Sequence, residues 1–119
     1  MEKTKKIIAL KQNYLFGKAY DKGKCFAQST IAVYILKDYR HGATRFGITV
    51  SKKRGGAVER NRAKRVIREA FRHLRPYVKD GYIIVAVARQ ACMKAPCAVV
   101  EGELEEVLKR AALLVGKDV

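Results

Sequence analysis

Tryptophan is absent from this 119-residue chain, cysteine is scarce, and acidic residues number 11 against 26 lysines and arginines. Three cysteines, Cys25, Cys92 and Cys97, are too few for the disulfide framework of a small secreted domain. Zinc needs close pairs of ligands, and Cys92-x4-Cys97 has no second half, with His41 and His73 distant in sequence. The three are therefore read as free thiols. No apolar run approaches the roughly 20 residues that cross a bilayer. Ile7-Ile8-Ala9-Leu10, behind the first lysines, is shorter than a secretory core and lacks a cleavage site after it. A lipidation signal and a Trp-anchored amphipathic helix are also missing. These absences lead to the expectation of a cytoplasmic protein with no membrane partner.

Catalytic groupings are equally thin. There is no Ser-His-Asp or Cys-His arrangement. Glu101, Glu103, Glu105 and Glu106 gather at a helix start, where acids are favoured by the dipole. A protein nuclease would want two or more carboxylates converging on a metal ion. No catalytic residue and no metal site are expected on this chain.

The length suits one domain over 1–119, with 1–10 expected as a flexible tail. Lys11 to Tyr20 carries Leu15, Phe16, Ala19 and Tyr20 at helical spacing, and Lys22-Gly23-Lys24 stops it. Cys25 to Lys37 is β-branched and aromatic and reads as a strand; Arg45 to Ser51 reads as a second, paired with it as a hairpin across Asp38 to Gly42. Lys52 to Gly56 is a loop needing glycine freedom. From Ala57 to Leu74, residues Ala63, Val66, Ile67, Ala70, Phe71 and Leu74 fall on one helical stripe, and Arg60, Asn61, Lys64, Arg65, Arg68 and Arg72 on another. Pro76 ends this helix. Tyr82 to Ala88 is a continuous apolar run, typical of a strand covered on both sides. Pro96 opens a last helical pattern that Gly102 could divide. The order α-β-β-α-β-α makes a small two-layer α+β sandwich with helices on one sheet face.

Net charge is +15. Between Ser51 and Arg75 ten basic residues face only Glu59 and Glu69, a net +8. Cations at i,i+4, as in Arg60/Lys64/Arg68/Arg72, repel and weaken a helix. A polyanion would relieve that repulsion, so nucleic acid is the expected partner. Arg60-Asn61-Arg62 lies in the first helical turn, where free N–H groups and the dipole attract phosphate and the arginine fork fits it. A second grouping is aromatic. Phe16 and Tyr20 share a helix face, and Tyr34 lies on the more polar face of its strand. Such rings usually belong to a core; on an open face they would stack unpaired bases at about 1–3 kcal/mol each. In this reading the cations grip duplex-like RNA while a separate aromatic face takes single strand.

Arg45 to Lys53 followed by Ala57-Val58-Glu59-Arg60-Asn61-Arg62-Ala63-Lys64-Arg65 closely resembles the signature of the bacterial ribonuclease P protein subunit, as do Phe16 to Lys24 and Val87-Ala88-Arg89. The resemblance implies a four-stranded type of central sheet, like a domain of a ribosomal protein, with a left-handed βαβ crossover where general rules give a right-handed one. It also implies partnership with a large catalytic RNA that holds the magnesium ions and removes the 5′ leader of precursor tRNA. No cofactor on the protein and no obligatory protein partner are implied. By position, Lys52, Lys53, Arg54, Arg60, Asn61, Arg62, Lys64, Arg65, Arg68 and Arg72, with Arg45 and Arg89, correspond to RNA-contacting residues. Phe16, Tyr20 and Tyr34 correspond to a leader-binding cleft. The tail here lacks the family's Arg-rich run. A structural RNA-binding protein of ribosomal type is the alternative, and a self-sufficient endonuclease a weaker third.

Overall fold

Seven residues, Tyr82–Ala88, organise the molecule. The computed structural model describes residues 8–38 and 42–115, so His41 and the tail over 1–7 lie outside the described residues. The elements are β1 (Ile8–Ala9), α1 (Asn13–Lys22), β2 (Lys24–Ala27), β3 (Ile31–Lys37), β4 (Arg45–Thr49), α2 (Ala57–Leu74), β5 (Tyr82–Ala88) and α3 (Cys97–Arg110). They form an α+β fold around a five-stranded sheet in the order β1-β4-β5-β3-β2.

The expected hairpin between β3 and β4 does not form. β5 lies between them, antiparallel to β3 and parallel to β4. Its alternate residues explain the placement. Ile84, Ala86 and Ala88 enter the main core, while Ile83 and Val85 enter a second cluster with Leu10, Leu15 and Ala19. A strand apolar on both faces is stable only inside a sheet with cover on each side. The hairpin that does form is β2 with β3, because Gln28-Ser29-Thr30 breaks the run read as one strand.

Cover on both sides also corrects the expectation of helices on one face. α2 and α3 pack on the face carrying Ile31, Val33 and Ile84, and α1 packs on the other. Phe71 of α2 stacks on Phe46 of β4, rings 3.9 Å apart and 2° from parallel. All six residues of the expected α2 stripe are buried. Of the expected flexible tail, Ile8–Ala9 pair in parallel with β4 and Leu10 is buried, so 8–10 belong to the sheet and its core. α3 is a single helix: Gly102 is exposed, and burial of Val100, Leu104, Val107 and Leu108 outweighs its helix penalty of about 1 kcal/mol.

Two polar ties lock α3 in place. Glu103 accepts hydrogen bonds from the Ser29 hydroxyl, the Thr30 N–H (2.9 Å) and the Thr30 hydroxyl (2.7 Å), fixing the β2–β3 turn. On α2, His73 stands between Glu69 (3.0 Å) and Glu101 of α3 (2.7 Å). The hydrogen bond to Glu101 raises the His73 pKa above its ordinary 6.5 against some desolvation, with Glu69 assisting and Arg72 opposing. A raised folded-state pKa stabilises fully below the unfolded value and is lost as pH climbs through the folded one. Thermal melts should therefore show stability falling as pH rises above the ordinary histidine value of 6.5 and through the raised folded one, and His73→Gln should remove that part of the slope. An unchanged slope in the variant would refute the tie.

Candidate nucleic-acid interface

The basic centre begins as a rigid corner. Ser51 Oγ accepts from the Lys53 N–H at 3.2 Å, starting a short 3-10 turn over Lys52–Arg54. The Gln90 side-chain amide donates to the Arg54 carbonyl at 3.0 Å, tying this turn to the segment after β5. Glycine at the N-cap of α2 has no side chain to cap with. Glu59 instead reaches back to accept from the Gly56 N–H at 2.7 Å, and Arg60 Nε donates to the Gly55 carbonyl at 3.1 Å. Lys52 and Lys53 are exposed on this corner, and Arg54 and Arg60 are half-buried.

Along α2 the cations divide by direction. Asn61, Arg65, Arg68 and Arg72 are exposed and Lys64 is half-buried. Lys64 and Arg68, one turn apart, look toward α1. Arg65 lies on the opposite flank beside Val66, Glu69 and Cys97. Arg72 is engaged by Glu69, its Nε 3.1 Å from the carboxylate. Arg62 is committed elsewhere: its two terminal nitrogens donate to the Met93 and Ala95 carbonyls at 3.1 and 2.9 Å. That fork holds the loop before α3 against α2. Arg75, also in the basic stretch, is buried and bonds to the Val78 carbonyl and Asp80. Arg89 donates to the Gln28 carbonyl at 2.6 Å, bracing the β2–β3 turn, and half-buried Arg45 pairs with Ile8 in the sheet register.

The aromatic residues lie across from Lys64 and Arg68. Phe16 packs where Gly47 has no side chain; a Cβ there would lie 2.6 Å from the ring. Glycine inside a strand often marks such a close approach, and this was the sequence signal that β4 meets another element. Tyr20, 40% exposed, hydrogen-bonds Thr49 Oγ1 at 2.6 Å. Its ring meets Tyr34 edge-on, 5.1 Å between centroids at 77°. The Cys25 thiol opposite Tyr34, with some burial and the nearby Tyr20, holds the Tyr34 phenol above its ordinary pKa.

Two adjoining hollows of about 220 and 340 Å³ follow the edge of β4 and share Phe16, Ile48 and Lys64. Together they make one groove. Asn13, Phe16 and Tyr20 of α1 form one wall, Lys64 and Arg68 of α2 the other, and β4 the floor. The expectation of a separate aromatic face is thus corrected: the Phe16 and Tyr20 rings and the cations Lys64 and Arg68 face the same space. Tyr34 stands behind Tyr20 without lining either hollow. Asn13, Thr49 and Leu10 were missed by sequence reasoning, since only tertiary packing brings them to the groove. Among the described residues no group of three or more His, Cys, Asp or Glu side chains is placed to hold a metal ion. Among the described residues no helix is long and apolar enough to cross a membrane.

Comparison with known proteins agrees with this architecture. Residues 4–112 match the family model described as Ribonuclease P. The chain is 42% identical over 110 residues to the ribonuclease P protein component of Symbiobacterium thermophilum, covering 92% of this chain and 96% of that one. It is 35% identical to the Clostridium beijerinckii protein of the same name, with 95% of each covered. Among solved structures, the RNase P protein of Staphylococcus aureus superposes with a TM-score of 0.81 at 35% identity, covering 92% of this chain and 99% of that one. That of Thermotoga maritima gives 0.73 at 27% identity, covering 89% and 97%. The chain belongs to the ribonuclease P protein family, the protein subunit of the ribonucleoprotein that matures the 5′ ends of tRNA.

Proposed function

We propose that the groove between α1 and α2 receives the single-stranded 5′ leader of precursor tRNA, while the corner at Lys52–Arg54 and the outer face of α2 hold the catalytic RNA. The observation that carries this reading is the pairing of aromatic and cationic walls along one channel. Bases stack on Phe16 and Tyr20, and Lys64 and Arg68 meet the phosphates. Tyr34 supports Tyr20 edge-on. Lys52, Lys53, Arg54, Arg60, Asn61, Arg65 and Arg72 carry phosphate contacts with the RNA subunit, and Arg45 and Arg89 extend that surface from the sheet. Arg62 acts chiefly by holding the start of α3, so its effect on RNA is indirect. Magnesium is held by the RNA subunit, and the protein works in the cytoplasm with RNA as its only obligatory partner.

The test combines the purified protein with its catalytic RNA at limiting magnesium. Cleavage of precursor tRNA should be restored. Tyr20→Ala should weaken binding of leader-bearing substrate by about 5- to 150-fold, from a stacking contribution of about 1–3 kcal/mol, and leave mature tRNA binding nearly unchanged. Equal losses for both substrates would show that the groove does not take the leader.

A further inference from the structure

The opposite edge of the sheet carries a second hollow that the leader groove does not explain. In the register, Lys24 faces Ile35, Phe26 faces Val33, and Lys37 faces Tyr82. Ile35 and Val33 belong to the core under α2 and α3, so Lys24, Phe26, Lys37 and Tyr82 share that face. α3 ends at this corner, with Arg110 its last residue. What remains is a hollow of about 210 Å³ lined by these four residues together with Arg110.

Its composition is selective. Cations from β2, β3 and α3 converge, and no carboxylate lines the space. Lys24 Nζ lies 5.4 Å from the centroid of the Phe26 ring. Neither Lys24 nor Lys37 forms an ion pair with another described residue. Arg110 touches Glu106 at 3.1 Å, an exposed pair that competes weakly with a phosphate. Three positive charges around an aromatic floor repel one another unless an anion joins them. Phe26 and Tyr82 pack against the core yet remain partly exposed at this hollow, so a simple anion would use only the charges, whereas a nucleotide also meets the rings.

We propose that this hollow is a second RNA contact, which holds a single-stranded nucleotide segment at the far sheet edge from the leader groove. The protein would then be gripped by RNA on two sides. The segment belongs either to the catalytic RNA or to the substrate, and the chemistry of recognition is the same. This inference does not depend on what occupies the leader groove.

The experiment uses the full chain with Lys24→Gln, Lys37→Gln and Arg110→Gln combined. A matched control combines Lys18→Gln, Lys94→Gln and Lys109→Gln, exposed residues outside both sites. Affinity is measured across a salt series, first for the catalytic RNA alone and then for precursor tRNA with the assembled holoenzyme. Loss of three single-strand phosphate contacts should flatten the log–log salt slope by about 2 units. A change with the RNA alone assigns the segment to the catalytic RNA; a change only with the holoenzyme assigns it to the substrate. The control should shift the slope far less, and the ratio of leader-bearing to mature tRNA affinity should stay constant. Unaltered slopes in both arms, or an equal shift in the control, would overturn the proposal. Should the triple variant fail to fold, Lys37→Gln alone still reads the site, with a flattening of about 0.7 units.

Discussion

Precursor tRNA should lose roughly a hundred- to ten-thousandfold in affinity when Lys64 and Arg68 are both changed to glutamate, while mature tRNA loses much less. The estimate rests on two charge-assisted phosphate contacts at about 1.5–3 kcal/mol each, with repulsion from the new carboxylates added. The fold should tolerate the change. Arg68 is exposed and Lys64 half-buried, and neither forms an ion pair with a described residue. Two acids at i,i+4 repel about as much as the two cations they replace, so helix stability changes little. The reading is specific because these side chains form the wall opposite Phe16 and Tyr20. Binding assays on the two substrates decide it. A uniform loss would place Lys64 and Arg68 on the general RNA surface, and no loss would remove them from recognition.

The second large effect concerns stability. Phe71→Ala should lower the unfolding free energy by about 3–5 kcal/mol, the usual cost of truncating a buried phenylalanine. Phe71 is fully buried, and its ring stacks on Phe46. Stacked pairs contribute about 0.5–1.5 kcal/mol beyond burial, which favours the upper end. A domain of this size has about 5–15 kcal/mol in total, so the melting temperature should drop by roughly 10–20 °C. Chemical denaturation measures the loss, and a change below about 1 kcal/mol would mean that the site collapses around the missing ring. The consequence reaches RNA as well, because this stack fixes α2 to the strand that floors the groove. Phe71→Leu, which keeps most of the volume, should recover much of both properties.

How far these features could be read from sequence varied with how local their causes are. α2 was legible to the residue, because eighteen positions of unbroken periodicity with glycine before and proline after leave little freedom. The double-faced character of β5 was legible too, from its lack of alternation. Its position was not. A short polar turn after Lys37 favours pairing neighbours in sequence, yet both faces of β5 are apolar and buried along most of its length, and the need to cover both inserts it between β3 and β4. The same residues place α1 on the second face. Within the basic stretch, periodicity left Arg62 off the cationic stripe, whereas its place in the first-turn Arg60-Asn61-Arg62 string and the family signature both counted it as an RNA contact. In the structure Arg62 sits one turn before Val66 and reaches the backbone carbonyls of the α3 approach. Charge alone does not tell a phosphate grip from a structural fork. Likewise, no spacing rule could bring Phe16 and Lys64 together, because α1 and α2 lie on opposite faces and meet only around the edge of β4.

The central strand arrives late in the chain. β3 and β4 are complete by Thr49, but their mutual partner ends at Ala88. As the polypeptide leaves the ribosome, β3 can pair with β2 and β4 with β1, but nothing joins the two pairs until β5 emerges and closes the gap. Contacts of such long sequence separation slow folding, since chain entropy is lost before pairing repays it. Assembly is thus gated by the last strand, and a nascent chain stalled before Tyr82 would display two apolar strand edges and no RNA groove. Ribosome-bound chains of increasing length should accordingly gain protease resistance in one step, once β5 has cleared the exit tunnel.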